Sequence, residues 1–222
     1  MFKKLALACP AIILASLLFS CSQESSLVGP DQNKTVATTN VYNSFPWNWH
    51  LPYVGNAYVT QGYNGDCWTV PGKPPTHVGS MVNAVDFASG GASSGSPVKA
   101  CAAGWVKFAG WASGSNNGFG NQVIIEAGPT GQSSPYQNNK YIYRVAHMNS
   151  VSVTAGWWVE RGQILGYVGT TGASTGPHIH FEVKRGTYPG YGGISGESFP
   201  PSFAGGIDSY NGTCGYWAAS GQ

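Results

Sequence analysis

Residues 172–186 read GASTGPHIHFEVKRG, and they set His178 and His180 two positions apart behind a Gly-Pro turn. The run from Ile179 to Val183 has the β-branched and aromatic content of a strand. In a strand, residues i and i+2 share a face, so the two imidazoles point the same way, about 6.6 Å apart at a rise of ~3.3 Å per residue. Ile179, Phe181 and Val183 then point to the other face, the pattern of a half-buried strand. Two imidazoles on one polar face, in a chain with five histidines, fit either a metal site or a coincidence of spacing.

Outward from this stretch the same period recurs. NAYVTQGY (56–63), NAVDFAS (83–89), SPVKACAAGWVKFAG (96–110), NQVIIEAG (121–128), KYIYRVAHM (140–148) and GWWVERGQILGYVG (156–169) are short strand-like runs, each bounded by Gly, Pro, Asn or Ser. Helical periodicity is nearly absent. The expected fold is all-β, an antiparallel sheet folded toward a sandwich or small barrel. The long polar loops GWASGSNNGFGN (110–121) and GPTGQSSPYQNN (128–139) are expected to wall a groove.

The N-terminus has a different character. MFKK followed by ALACPAIILASLL is a positive start and an apolar run too short to span a bilayer comfortably, so residues 1–20 read as an export signal. The segment closes on LFSC, which resembles the lipobox of bacterial lipoproteins and makes Cys21 the expected lipidated residue. An ordinary secretory signal is the alternative, and both export the chain. Residues 21–44 are polar and read as a flexible tether, which leaves residues 45–222 as one domain. Loss of Lys3 and Lys4 with the signal leaves nine basic and nine acidic side chains. A chain without net charge and with only 9% charged residues offers no basic surface for nucleic acid. Cys67, Cys101 and Cys214 remain in the domain. Cys67 and Cys214 lie in turn-like surroundings and form the expected disulfide, whereas Cys101 lies in a strand and is expected to pack as a small hydrophobe.

The partners available to His178 and His180 are few. His50 stands in an aromatic entry segment and reads as a packed or surface histidine. His77 follows PGKPPT in a loop, Asp86 alternates with Val85 and Phe87 along a strand, and His147 ends the strand KYIYRVAH. Catalytic zinc takes three N or O ligands and keeps an open position. Two histidines and a carboxylate meet that need, and further histidines can move protons. Spacing alone assigns no roles, because both members of an H-x-H pair serve as ligands elsewhere.

The ordered set H-x8-D, GSPVKACAAGWV, YRVAHM, V-x-x-GQILGYVG and TGASTGPHIHFEV resembles the lysostaphin/LytM-type zinc metallopeptidases, which cut peptide bonds in bacterial peptidoglycan. The resemblance spans roughly residues 55–204. It implies that His77, Asp86 and His180 bind Zn²⁺ and that His147 and His178 act in catalysis, with the roles of these two undivided. Two departures stand out: HVGSMVNAVD puts a longer gap between the first two ligands than many members have, and Met148 replaces the usual leucine. Glu182 shares the face of the two histidines and reads as an orienting or exposed residue or as a participant; Tyr143, on the alternation of His147, reads as packing or as a hydroxyl donor.

The expected protein is thus an exported, monomeric zinc endopeptidase acting on peptidoglycan, held by lipid to a bacterial membrane (the outer membrane in a Gram-negative host). The alternative of the same fold is an inactive peptidoglycan-binding or amidase-activating lipoprotein, which the complete ligand set argues against. The hairpins around SPVKACAAGWV and ERGQILGYVG also look like lipoyl-type carrier modules. A carrier needs a lysine at the hairpin tip, where glycine stands here.

Overall fold

The computed structural model describes residues 49–62, 76–128, 140–200, 203 and 217–220. Residues 1–44, with Cys21, and the pair Cys67 and Cys214 lie outside the described residues, as does most of the loop 128–139.

Nearly all the regular secondary structure of the described residues is strand. In chain order the strands are β1 (Gly55–Gln61), β2 (Val85–Ala88), β3 (Pro97–Lys99), β4 (Gly104–Trp111), β5 (Asn121–Ala127), β6 (Tyr141–Val151), β7 (Trp158–Val159), β8 (Ile164–Val168), β9 (Ile179–Thr187), β10 (Ser195–Phe199) and β11 (Trp217–Ser220). Two short 3-10 turns, Gly79–Met81 and Gly114–Phe119, interrupt them. The strands pair antiparallel in the order β11-β1-β2-β9-β6-β5-β4-β7, with β10 added at β9 and the β3–β8 ladder joined to the end of β6. The all-β, antiparallel expectation holds. The sheet is open and branches at β6; β11 and β7 form separate ends.

Alternation decides which side of the sheet is the core. In β2, Val85 and Phe87 are fully buried while Asp86 and Ala88 are half-buried. Ile179, Phe181 and Val183 of β9 and Tyr143 and Val145 of β6 continue the same face, and all belong to one apolar cluster. Val98, Leu165 and Val168 from the β3–β8 ladder join that cluster, so the branch packs over the core. Each large aliphatic or aromatic side chain buried there contributes on the order of 1.5–3 kcal/mol. Cys101 is buried in the same cluster. Trp157 packs at its edge, and Trp158 lies edge-on to Trp105 at 5.4 Å.

The strand β6 is buried on both faces. Its second face carries Ile142, packed with Ile124 and Ile194, and Arg144, which is tied to the loop after β9 by a hydrogen bond to the Gly192 carbonyl (3.0 Å). That second face is where the polar residues of β2 and β9 also emerge.

Candidate metal centre and catalytic cleft

Register brings the polar residues together. Asp86 of β2 is the cross-strand partner of His180 of β9, and His180 is the partner of Ala146 of β6. One step along, Glu182 stands opposite Arg144. Cross-strand partners project to the same face, so Asp86, His180, Glu182 and Arg144 share the face opposite the core.

His147 reaches that face by a break in alternation. Val145 pairs with Val123 and Met148 with Asn121, leaving Ala146 and His147 opposite the single residue Gln122. This is a β-bulge, and His147 takes φ 62° within it. Val145 and Met148 are both in the core, while the His147 ring lies 4.6 Å from that of His178 and 5.8 Å from that of His180, centroid to centroid. Tyr143, expected on the alternation of His147, stays on the core side, where its hydroxyl donates to the Ala102 carbonyl (2.7 Å). Of its two sequence readings, packing is the one realised.

Three donor atoms converge on one point. His77 Nε2 is 3.3 Å from Asp86 Oδ1, and His180 Nδ1 is 3.0 Å from the same oxygen. Among the described residues His77, Asp86 and His180 form a group whose ligand atoms all lie within 4.8 Å of one another. His77 Nδ1–H donates to the Gly62 carbonyl (3.3 Å), an acceptor that fixes the tautomer and leaves the lone pair on Nε2, aimed at a carboxylate oxygen. His180 Nε2 faces Glu182 Oε1 at 3.8 Å. With its proton there, His180 also turns a lone pair toward Asp86. Electron-rich atoms buried this closely need a cation among them. Without one, a proton does that work. Burial opposes charge on His180, but the hydrogen bond to Asp86 and the nearby Glu182 carboxylate outweigh it and raise its pKa to about 9. Burial likewise opposes charge on Asp86, yet the hydrogen bonds from His180 and His77 keep its carboxyl well below the usual range. The donor chemistry fits zinc, which takes imidazole nitrogen and carboxylate oxygen.

Beside these three stand His147 and His178. His147 Nδ1–H donates to the Thr171 carbonyl (2.9 Å) and His178 Nδ1–H to that of Gly176 (2.8 Å). Each therefore carries its lone pair on Nε2, and His178 Nε2 lies 3.8 Å from Asp86 Oδ2. Burial first, then the neighbouring His180 and His178, push the His147 pKa down to about 3, so its ring is neutral at neutral pH. The His77 and His180 side chains are 2% and 5% exposed, whereas Asp86 and His178 are each 14% exposed. Solvent enters from the His178 side.

Residues 80–190, half of the chain, match peptidase family M23. The chain belongs to that family. It is similar to lysostaphin of Staphylococcus simulans, 38% identical over 107 residues, covering 47% of this chain and 18% of that protein. It is also similar to the peptidoglycan DD-endopeptidase ShyA of Vibrio cholerae, 39% identical over 64 residues, covering 29% of this chain and 13% of that protein. Among solved structures, the catalytic domain of lysostaphin from S. simulans superposes with a TM-score of 0.42 at 25% identity, covering 66% of this chain and 94% of that one. The chain thus matches less than a fifth of the length of either curated relative. The M23 match contains Asp86, His147, His178 and His180, and His77 stands three residues ahead of it.

The histidine cluster has neighbours that the sequence patterns do not name. Phe119, delivered by the loop 110–121, lies 5.3 Å from the His180 ring and 28° from parallel with that of His147. The Arg144 guanidinium covers the Phe119 ring at 3.7 Å and forms a buried ion pair with Glu182 at 2.8 Å. Arg144 had a signal, since it interrupts an apolar strand run; Phe119, in a glycine- and asparagine-rich loop, had none. Glu182 is buried, which fits the orienting reading over the exposed one: burial opposes its charge, but the neighbouring His180 ring and the Arg144 charge hold its pKa low. His50 lies outside this group.

Proposed function

We propose that this chain is a zinc-dependent endopeptidase that hydrolyses peptide cross-links of bacterial peptidoglycan. His77, Asp86 and His180 hold the metal, and His147 and His178 move protons beside it. The observation that carries the reading is the convergence of His77 Nε2 and His180 Nδ1 on one Asp86 oxygen, with two more imidazoles alongside. Family membership and the likeness to lysostaphin and ShyA support the substrate class.

Zinc in such a set supplies Lewis-acid charge and makes water acidic enough to attack near neutral pH. The protein does the rest. Glu182, held by Arg144, faces the outer nitrogen of His180 and orients that ring, as carboxylates behind ligating histidines do. His147 and His178 present their Nε2 atoms to the cleft. Between them they take the proton of the attacking water and return one to the leaving amine. Phe119 and the buried side of His147 keep bulk water from the inner wall.

The proposal extends to the chain's organisation: an export signal over residues 1–20, lipid on Cys21, a tether to residue 44, and the peptidase domain beyond it in the cell envelope. The test of function is digestion of defined cross-linked muropeptides by the purified chain. New peptide termini should appear, vanish on chelation and return with zinc. Zinc-loaded protein that leaves every cross-link intact yet stimulates an amidase would establish the activator reading instead.

A further inference from the structure

The described residues contain seven Lys and Arg side chains, and five of them have a carboxylate partner. Lys107 and Lys140 pair with Glu126, Arg144 and Lys184 with Glu182, and Arg185 with Glu197. The remaining two are Lys99 and Arg161, for which no carboxylate lies in ion-pairing range among the described residues. Both line the same cavity, of about 210 Å³, together with His50 and Gly162.

Backbone hydrogen bonds fix the floor of this cavity. His50 N–H donates to the Cys101 carbonyl (3.0 Å), Lys99 N–H to that of Pro52 (2.9 Å), and Gly162 N–H to that of Ala100 (2.8 Å). Ala100 N–H in turn donates to the Gln163 carbonyl (2.9 Å). Three separate segments are therefore locked side by side, each presenting a basic side chain to one space. The acid adjoining Arg161 in sequence, Glu160, accepts from Trp158 Nε1 (3.1 Å), so its carboxylate is engaged at the indole. In a chain this poor in charge, two unpaired cations sharing one cavity with a histidine make a locally positive, concave surface.

The cavity is separate from the metal centre. Gly162 precedes β8 and Gly169 follows it, and Gly169 bridges to His178. The length of β8 thus puts about 20 Å between the cavity and the catalytic cleft, at ~3.3 Å per residue.

We infer that the cavity bounded by His50, Lys99 and Arg161 is a binding site for a phosphate group. A guanidinium offers a planar fork of donors and a lysine a movable point charge, the combination that suits a tetrahedral oxyanion carrying up to two negative charges. The volume of about 210 Å³ is ample for such a group. A lipid headgroup and free phosphate share this chemistry.

The test titrates the full chain with inorganic phosphate, at ionic strength held constant with chloride, and follows backbone amide shifts by NMR. Saturable shifts confined to residues near 50, 99–101 and 161–163 are expected. Arg161→Gln, at an exposed position, and Lys99→Gln should each weaken binding by about tenfold or more, while Lys99→Arg retains it. Unchanged melting temperatures will show that the variants fold. Phosphatidylglycerol vesicles that compete for the same shifts identify the lipid headgroup as the source; vesicles that leave them untouched identify free phosphate, and either result keeps the site. Shifts that do not saturate, that acetate reproduces equally, or that survive both Gln variants would overturn the assignment. Hydrolytic activity enters none of these readouts, so the outcome is independent of the proposed peptidase.

Discussion

His147 holds a left-handed backbone conformation that costs a non-glycine residue on the order of 1–3 kcal/mol, and the cost purchases a position. Regular alternation would send its imidazole into the core beside Val145. The bulge sends it to the cleft, where Thr171 fixes its tautomer. His178 and His180 need no such device, because strand period alone sets them on one face. They differ in what they touch: His180 Nδ1 meets Asp86 Oδ1 at 3.0 Å, whereas His178 spends its Nδ1–H on a backbone carbonyl and stands farther off. His180→Ala and Asp86→Ala should therefore lose both zinc and turnover. His178→Ala and His147→Ala should keep zinc near native stoichiometry and lose about 10²- to 10⁴-fold in rate. Zinc content and turnover measured on the same four folded variants check this, and a metal-free but folded His178→Ala would contradict it.

Two strands and one crossing segment hold these histidines in place. Residues 169–171 leave β8 and pass directly over the end of β6. The Gly169 carbonyl accepts from His178 N–H (3.2 Å), and the Thr171 carbonyl accepts from His147. A Cβ on Gly169 would stand 2.3 Å from Asn149 N and 2.6 Å from its Cα, so only glycine permits this approach. Gly169→Ala should lift the crossing from β6, lowering stability by about 1–3 kcal/mol, the usual cost of overpacking. Turnover should fall because His147 and His178, proposed to move protons, both lose their support, while zinc binding, which uses none of these contacts, should persist. Urea unfolding and metal analysis of the one variant separate the two effects; loss of zinc would show that the crossing also supports the ligands. The strands in VERGQILGYVG were legible in the sequence, but they form no hairpin: β7 pairs with β4, and β8 with β3 and β6. The crossing was not legible, since nothing local tells Gly169 from the other glycines of that run.

Among the described residues one large core, with a smaller cluster of Ile124, Ile142 and Ile194 beside it, stabilises the open sheet, and Tyr143 lies deep in the large one. Trp49 meets its ring edge-on at 5.3 Å and Phe181 lies at 6.0 Å. Burial pushes the Tyr143 pKa well above its ordinary value of 10.0. Because the folded state favours the neutral phenol, stability from this group is intact below the unfolded pKa. It is lost as pH rises past about 10, where the unfolded chain ionises and the folded one resists. Alkaline titration followed at the phenolate absorbance should show Tyr143 among the tyrosines that ionise only with global unfolding, and Tyr143→Phe should reduce that step by one tyrosine. Much at this scale was already written in the chain. Period-two patterning, turn residues and low charge specify an all-β fold, and the H-x-H strand with Asp86 between Val85 and Phe87 specifies a polar stripe, because both follow from neighbours in sequence. The tertiary structure alone decided that β2 and β9 pair in register, that the bulge turns His147 out of the core, and that Arg144 joins Glu182 to Phe119. It also brought Lys99 and Arg161 to one cavity. Those facts depend on contacts between residues far apart in the chain, which no local pattern encodes.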